Sequence, residues 1–150
     1  MSLFSFEMAS NIEIAAPRGH VFSFVEMAKD WPKWSGVVVD VKAAPSIPWG
    51  VAEALSFRLR MAGRSIPFSV RVTDYQPGSR IAWRSTKLTI TAVRTLTFVG
   101  DESCRVTDHK RFYSPVVPIG IYYPRSIIRN MTDRWLADLK RVAEERAPYT

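Results

Sequence analysis

A period of two, sustained from Glu53 to Tyr113, constrains this chain more than any other feature. Leu55, Phe57, Leu59 and Met61 alternate with Ser56, Arg58 and Arg60. After a turn at Ala62–Gly63–Arg64–Ser65, Ile66, Phe68, Val70 and Val72 alternate with Ser69, Arg71 and Thr73. Gln76–Pro77–Gly78 carries Pro and Gly where a type II turn takes them. Ile81 and Trp83, then Leu88, Ile90, Leu96 and Phe98, then Val106 and Phe112 continue the pattern. Successive strand side chains point to opposite faces, so the stretch predicts an antiparallel meander with one apolar and one polar face.

The flanks have a different rhythm. A strand is expected from about Phe4 to Ile14, then a helix opened by Pro17 with Val21, Phe22, Phe24 and Val25 at helical spacing. That helix stops near Asp30–Trp31–Pro32, a short second helix or turn covers Pro32 to Gly36, and Val37 to Val41 reads as a strand. From about Pro124 to Arg146, Ile127, Ile128, Met131, Trp135, Leu139 and Val142 form the stripe of an amphipathic helix. The fold class is therefore α+β: a strand, two short helices, several antiparallel strands and one long helix. One helix covers so many strands only if the sheet curls around it, which leaves a pocket between them. With 150 residues, no internal repeat and no linker, residues 1–150 read as one domain. No apolar run approaches the roughly 18–20 residues of a membrane span. The segment Met1 to Glu7 lacks the flank and core of a signal peptide, and Cys104 is the only cysteine. A cytoplasmic, reducing compartment is the expectation.

Several short motifs recur here in a familiar order: Ile12 to Pro17 (IEIAAP), Val21–Phe22, Trp31 with Trp34, Tyr75 to Gly78 (YQPG) before Ile81–Ala82–Trp83, Arg105–Val106–Thr107, and Trp135 to Leu139 (WLADL). Together they resemble the START-like, or SRPBCC, superfamily, in its polyketide cyclase/dehydrase and lipid-transport-like branch. The resemblance implies a helix-grip fold, a curved seven-stranded antiparallel sheet wrapped around the last helix, with a deep apolar cavity. The chemistry stays open, because that superfamily includes carriers, cyclases, hydrolases and oxygenase domains.

Polar residues on the inward face are the candidates for chemistry. The inward set is Leu88, Ile90, Ala92, Arg94, Leu96 and Phe98 on one strand and Cys104, Val106, Asp108, Lys110 and Phe112 on the next. Placing Phe98 opposite Cys104 sets Arg94 opposite Asp108, whereas a slip by two sets Arg94 against Lys110 or Val106. Opposite charges across strands are favourable, so the Arg94–Asp108 register is expected. Such a pair is either a structural ion pair near the rim or a polar anchor for a ligand's carboxylate, carbonyl or phenol. Lys110 either reaches solvent from a strand end or, if desolvated, serves as base or Schiff-base nucleophile. Arg94, Asp108 and Lys110 are thus the catalytic candidates. His20 reads as exposed in the first helical turn, His109 as outward-facing, and Cys104 as an inert core residue. Neither metal-ligand spacing nor a phosphate-binding loop is present, and no metal or cofactor is expected.

The candidate ligand-binding set is Trp34, Phe57, Phe68, Trp83, Arg94, Asp108, Phe112, Met131 and Trp135, with Met131 and Trp135 as a wall and Trp34 near Pro48–Trp49 as the mouth. The net charge of +7 concentrates in residues 51–100, which hold 8 Lys+Arg against 2 Asp+Glu. Arg58, Arg60, Arg71, Arg80, Arg84 and Arg111 fall on the outward face, as a solvated surface or one attracted to anionic membranes. That face lacks the aromatic platform of single-strand binders, which argues against nucleic acid. The expected function is binding of a small hydrophobic or amphipathic ligand: a lipid, polyketide, isoprenoid or aromatic compound. The alternatives are a polyketide cyclase/dehydrase-type enzyme using acid/base groups in the same cavity, and a carrier docking on anionic membranes.

Overall fold

The computed structural model describes residues 4–146. In chain order it runs β1 (Ser5–Ile14), α1 (Arg18–Glu26), a 3-10 turn (Ala28–Asp30), α2 (Trp31–Trp34), β2 (Val38–Ala43), β3 (Ala54–Met61) and β4 (Arg64–Gln76). There follow β5 (Arg80–Lys87), β6 (Ile90–Val99), β7 (Cys104–Tyr113), α3 (Ile119–Tyr122) and α4 (Arg125–Glu145). One sheet holds all seven strands in the order β1-β7-β6-β5-β4-β3-β2, each pair antiparallel. This is the α+β helix-grip arrangement expected from the period-two stretch and its helical flanks. The short helix α3, between β7 and α4, was not among the expected elements.

Local chemistry explains the turns. Gln76–Pro77–Gly78–Ser79 closes with Ser79 N–H donating to the Gln76 carbonyl at 2.9 Å, and Gly78 has φ of 74°. A proline second and a positive-φ glycine third make it the type II turn anticipated. Leu88 departs from expectation. It was placed on the inward face of β6 but is 60% exposed, because Leu88 and Thr89 form the two-residue tip of the β5–β6 hairpin. Both have positive φ, 54° and 66°, so the tip is a type I′ turn without its preferred Asn–Gly pair.

The β6–β7 register is also corrected. Phe98 pairs with Val106, Leu96 with Asp108 and Arg94 with Lys110, rather than Arg94 with Asp108. The closure between the two strands is two residues longer than the tighter one expected, because Val99 pairs with Arg105 rather than with Ser103. Gly100 lies within it at φ of 112°, where a Cβ would meet the Ser103 carbonyl oxygen at 2.2 Å. Like charges therefore stand directly opposite, and their compensation comes along the diagonal, described below.

The helix α4 turns Ile128, Thr132, Trp135, Leu136, Leu139, Val142 and Ala143 inward. Its C-terminal half is tied at several points. Asp138 accepts from Gly36 N–H at 2.7 Å, Glu144 from Ala15 N–H at 2.8 Å, and Arg141 donates to the Trp34 carbonyl at 2.8 Å. Two apolar clusters result. The larger gathers all five tryptophans, Trp31, Trp34, Trp49, Trp83 and Trp135, with Leu55, Leu96, Phe98 and Leu139. The smaller joins Phe6, Met61, Ile90, Phe112, Ile119, Tyr123 and Ile128. Phe68 and Met131 touch both.

Because a non-glycine residue at positive φ costs about 1–2 kcal/mol, replacing Leu88→Asn together with Thr89→Gly should stabilise the fold by about 1 kcal/mol. The measurement is thermal unfolding, where the variant's Tm should lie a few degrees above the parent's.

Candidate functional site

Where the two clusters meet, strand alternation points three charged side chains inward: Arg94 from β6 and Asp108 and Lys110 from β7. Asp108 is fully buried, and Arg94 and Lys110 keep 14% of their side chains exposed. Arg94 grips the carboxylate as a fork, its Nε 3.1 Å from each oxygen and one terminal nitrogen 2.6 Å from Oδ2. Lys110 Nζ lies 3.4 Å from the same Oδ2 and donates to Thr132 Oγ1 on α4. The Thr132 hydroxyl in turn donates to the Ile128 carbonyl at 2.7 Å. The Arg94 guanidinium is 4.5 Å from the Trp135 ring and 5.5 Å from the Trp83 ring, contacts that help offset its desolvation.

Burial alone would raise the Asp108 carboxyl, yet the Arg94 and Lys110 charges outweigh it and hold the group below its ordinary value. Lys110 moves the other way for an amine. Burial, then the Arg94 charge, pulls it down to about 7, against the opposing pull of Asp108 and Asp133. At neutral pH the site thus holds a firmly ionised carboxylate, a guanidinium and an amine shared between its charged and neutral forms. That combination can bind an anion or a carbonyl, and it can accept a proton.

Beside this cluster is a cavity of about 80 Å³. Its walls are apolar residues of both clusters, among them Phe57, Val70, Trp83, Phe112, Tyr123 and Ile128, with Leu59, Phe68 and Met131 toward the outside. Arg94, Lys110 and Ser85 are the polar groups on its surface. Drug-sized ligand sites are nearer 300–1,000 Å³, so this cavity, with its side chains as they stand, takes a small molecule or one end of a larger one. The cavity is smaller than the deep one the resemblance implies, and the tryptophan cluster packs beside it, with Trp83 on its wall.

The sequence profile of the family described as "Polyketide cyclase / dehydrase and lipid transport" matches residues 5–144. The chain belongs to this family. No curated protein matches its sequence at significance. Among solved structures it is similar to the Zhui aromatase/cyclase from a Streptomyces strain, with a TM-score of 0.80 at 13% identity over 95% of each chain. It is also similar to a START superfamily protein from Mycobacterium smegmatis (TM-score 0.68, 14% identity, 94% of this chain and 96% of that one). A third likeness is norcoclaurine synthase from Thalictrum flavum, solved with dopamine and hydroxybenzaldehyde (TM-score 0.71, 12% identity, 97% and 90%). At such identities the likeness establishes the START-like fold and leaves chemistry to the site.

Of the residues singled out from sequence, Phe57, Phe68, Trp83, Arg94, Phe112, Met131 and Lys110 line the cavity of this family member. Three do not. Asp108 sits behind Arg94 and Lys110, out of solvent. Trp135 packs against Trp31 and Trp34, and Trp34 is 4% exposed in that cluster rather than at a mouth. The indole of Trp49 likewise points inward, its N–H donating to the Glu26 carbonyl at 3.0 Å, where α1 ends with unpaired carbonyls. His20 is half-buried against the Ala143 carbonyl rather than exposed. Cys104 is buried, and burial pushes its thiol up. Sequence reasoning missed Thr132, whose signal was present: it is the one polar residue on the buried stripe that runs through Ile128, Trp135, Leu139 and Val142.

The outward face is less one-sided than its arginines suggested. Arg58 pairs with Asp40 at 3.9 Å, Arg80 with Asp74, Arg105 with Glu13 at 2.5 Å, and His109 with Glu7 at 3.1 Å. Acids on β1, β2 and β4 that alternation brings beside the basic positions temper that face. Among the described residues no helix is long and apolar enough to cross a membrane.

The lowered Lys110 amine has a stability consequence. Between about pH 7 and 10.5 the unfolded chain holds that proton and the folded chain does not, so stability rises with pH across the window. The slope is at most about 1.4 kcal/mol per pH unit. Asp108 acts at the acid end: its contribution is present above the ordinary carboxyl range and is lost as pH falls through its lowered value. Denaturant unfolding at several pH values should show the alkaline rise in the parent and its loss in Lys110→Met. Removing the compensating carboxylate, Asp108→Ala, should cost about 3–5 kcal/mol, since the Arg94 charge is left buried without its partner.

Proposed function

We propose that this protein binds a small, largely apolar molecule by inserting it between the sheet and α4, with an oxygen-bearing end at Arg94 and Lys110. The observation that carries this reading is the charge cluster at the end of an otherwise apolar cavity. A compensated triad of this kind adds little stability over apolar packing, yet Arg94 and Lys110 present hydrogen-bond donors to the cavity they line. A carboxylate, carbonyl or phenol suits those donors. The cavity size favours a single ring or a short chain over a long acyl chain. The acids paired with Arg58, Arg80 and Arg105 favour the cavity over the outward face as the place of binding.

NMR titration with matched probes tests this. Benzoate and phenol should bind and shift amides of Ile128, Met131 and Phe112, and both should bind more tightly than toluene. Removing a hydrogen bond from a charged donor is worth ~1.5 kcal/mol or more, so Arg94→Met should weaken benzoate about 10-fold while leaving toluene unchanged. Absence of binding by all three probes would sink the reading.

A second reading, cyclase or dehydrase chemistry, is favoured by Lys110 alone. An amine near 7 in contact with the ligand can take a proton from a carbon next to a carbonyl while Arg94 steadies the enolate oxygen. Asp108, shielded and strongly ionised, then acts by holding Arg94 and Lys110 in place. Under this reading the protein should accelerate exchange of the methylene protons of a small aryl β-diketone in deuterated water. Lys110→Met should abolish that acceleration, and Asp108→Asn should lower it only as far as it disturbs the other two.

A further inference from the structure

We propose that Lys110 captures a small aldehyde or ketone in the cavity as a reversible imine. This deepens the binding reading above and rests on it. The geometry is specific. Lys110 stands mid-strand on β7, opposite Met8 of β1 and Arg94 of β6, and its chain runs along the cavity wall. Thr132 gives its own proton to the Ile128 carbonyl, so its oxygen can only accept from Nζ and thereby fixes the amine in position. The charged groups facing Nζ are Arg94 from β6, Asp108 from β7 and Asp133 from α4; Met8 and Ser10 on β1 carry none. Burial and Arg94 leave a substantial share of the amine neutral near pH 7, with a lone pair free to attack.

The step balances without any other reactant. The nitrogen lone pair forms a bond to the carbonyl carbon, and the C=O pair moves onto oxygen. That oxygen points toward Arg94, which lines the cavity beside Lys110, and takes up the proton released from nitrogen. A second proton from solvent lets the hydroxyl leave as water, and the iminium returns one proton to solvent. The net change is carbonyl plus amine to imine plus water, with nothing oxidised or reduced. Leu59, Phe68 and Met131 are only half-buried, so the cavity opens past them and water has a way out. Asp108 is committed to Arg94 and takes no part in proton transfer.

The test uses the full chain at neutral pH with benzaldehyde and sodium cyanoborohydride, which reduces any imine to a stable benzylamine, followed by peptide mapping. An ordinary lysine is roughly 10³-fold less deprotonated there than an amine near 7. Lys110 should therefore be benzylated at least about 10-fold more than Lys29, Lys33, Lys42, Lys87 or Lys140, and excess toluene should protect Lys110 alone. Equal labelling of all six lysines, or labelling of Lys110 that toluene leaves unchanged, overturns imine capture. Toluene binding is followed in parallel by NMR. If toluene binds while Lys110 is not preferentially labelled, the imine fails and the binding reading stands. If toluene, phenol and benzoate all fail to bind, both fall.

Discussion

A fully buried carboxylate is the constraint on which this site depends. Asp108 lies under the sheet's inward face with no solvent contact, and an ion there is tolerable only with its charge answered nearby. Arg94 answers it with a fork of short hydrogen bonds, and Lys110 adds a second cation from two residues along the same strand. These heads occupy the seam between the two apolar clusters and prevent their fusion into one core. Space is left where polar heads and apolar walls cannot interdigitate, and that space is the cavity.

The tryptophans decide how much of the grip stays open. Five indoles converge on one half of the space between sheet and helix, with ring centroids 5.3–6.4 Å apart in the Trp31, Trp34, Trp49, Trp83 and Trp135 contacts. Two of them also cap the end of α1, Trp31 at the Val25 carbonyl and Trp49 at the Glu26 carbonyl. Large aromatic surface at low conformational cost makes that half a rigid floor. The other half is lined by Met61, Met131 and Ile128 together with the rings of Phe68, Phe112 and Tyr123.

Membership of the polyketide cyclase/dehydrase and lipid-transport family accounts for the scaffold: a curled seven-stranded sheet, a long terminal helix and short helices closing one end. Structures of similar shape include an aromatase/cyclase and a plant synthase. Within that scaffold the charge-compensated cluster of Arg94, Asp108 and Lys110 faces a small apolar space, and the lysine donates to the Thr132 hydroxyl of α4.

The architecture was legible because it rests on periodicity. Alternation from Leu55 to Phe112 required an antiparallel sheet, and the stripe from Ile128 to Val142 required one long helix over it, whatever the details of contact. The inward polarity of Arg94, Asp108 and Lys110 was legible for the same reason, since face follows parity along a strand. Register was not. A period of two is unchanged by a slip of two; charge complementarity favoured Arg94 opposite Asp108, and the longer loop around Gly100 sets it opposite Lys110 instead. The Arg94–Asp108 bond nevertheless exists, because side chains this long reach their diagonal neighbours. Equally, composition announced many inward aromatics without saying which would fill space and which would line it. Only the convergence of α2, the Trp49 loop, β5 and α4 could settle that, because close packing is a property of elements distant in sequence.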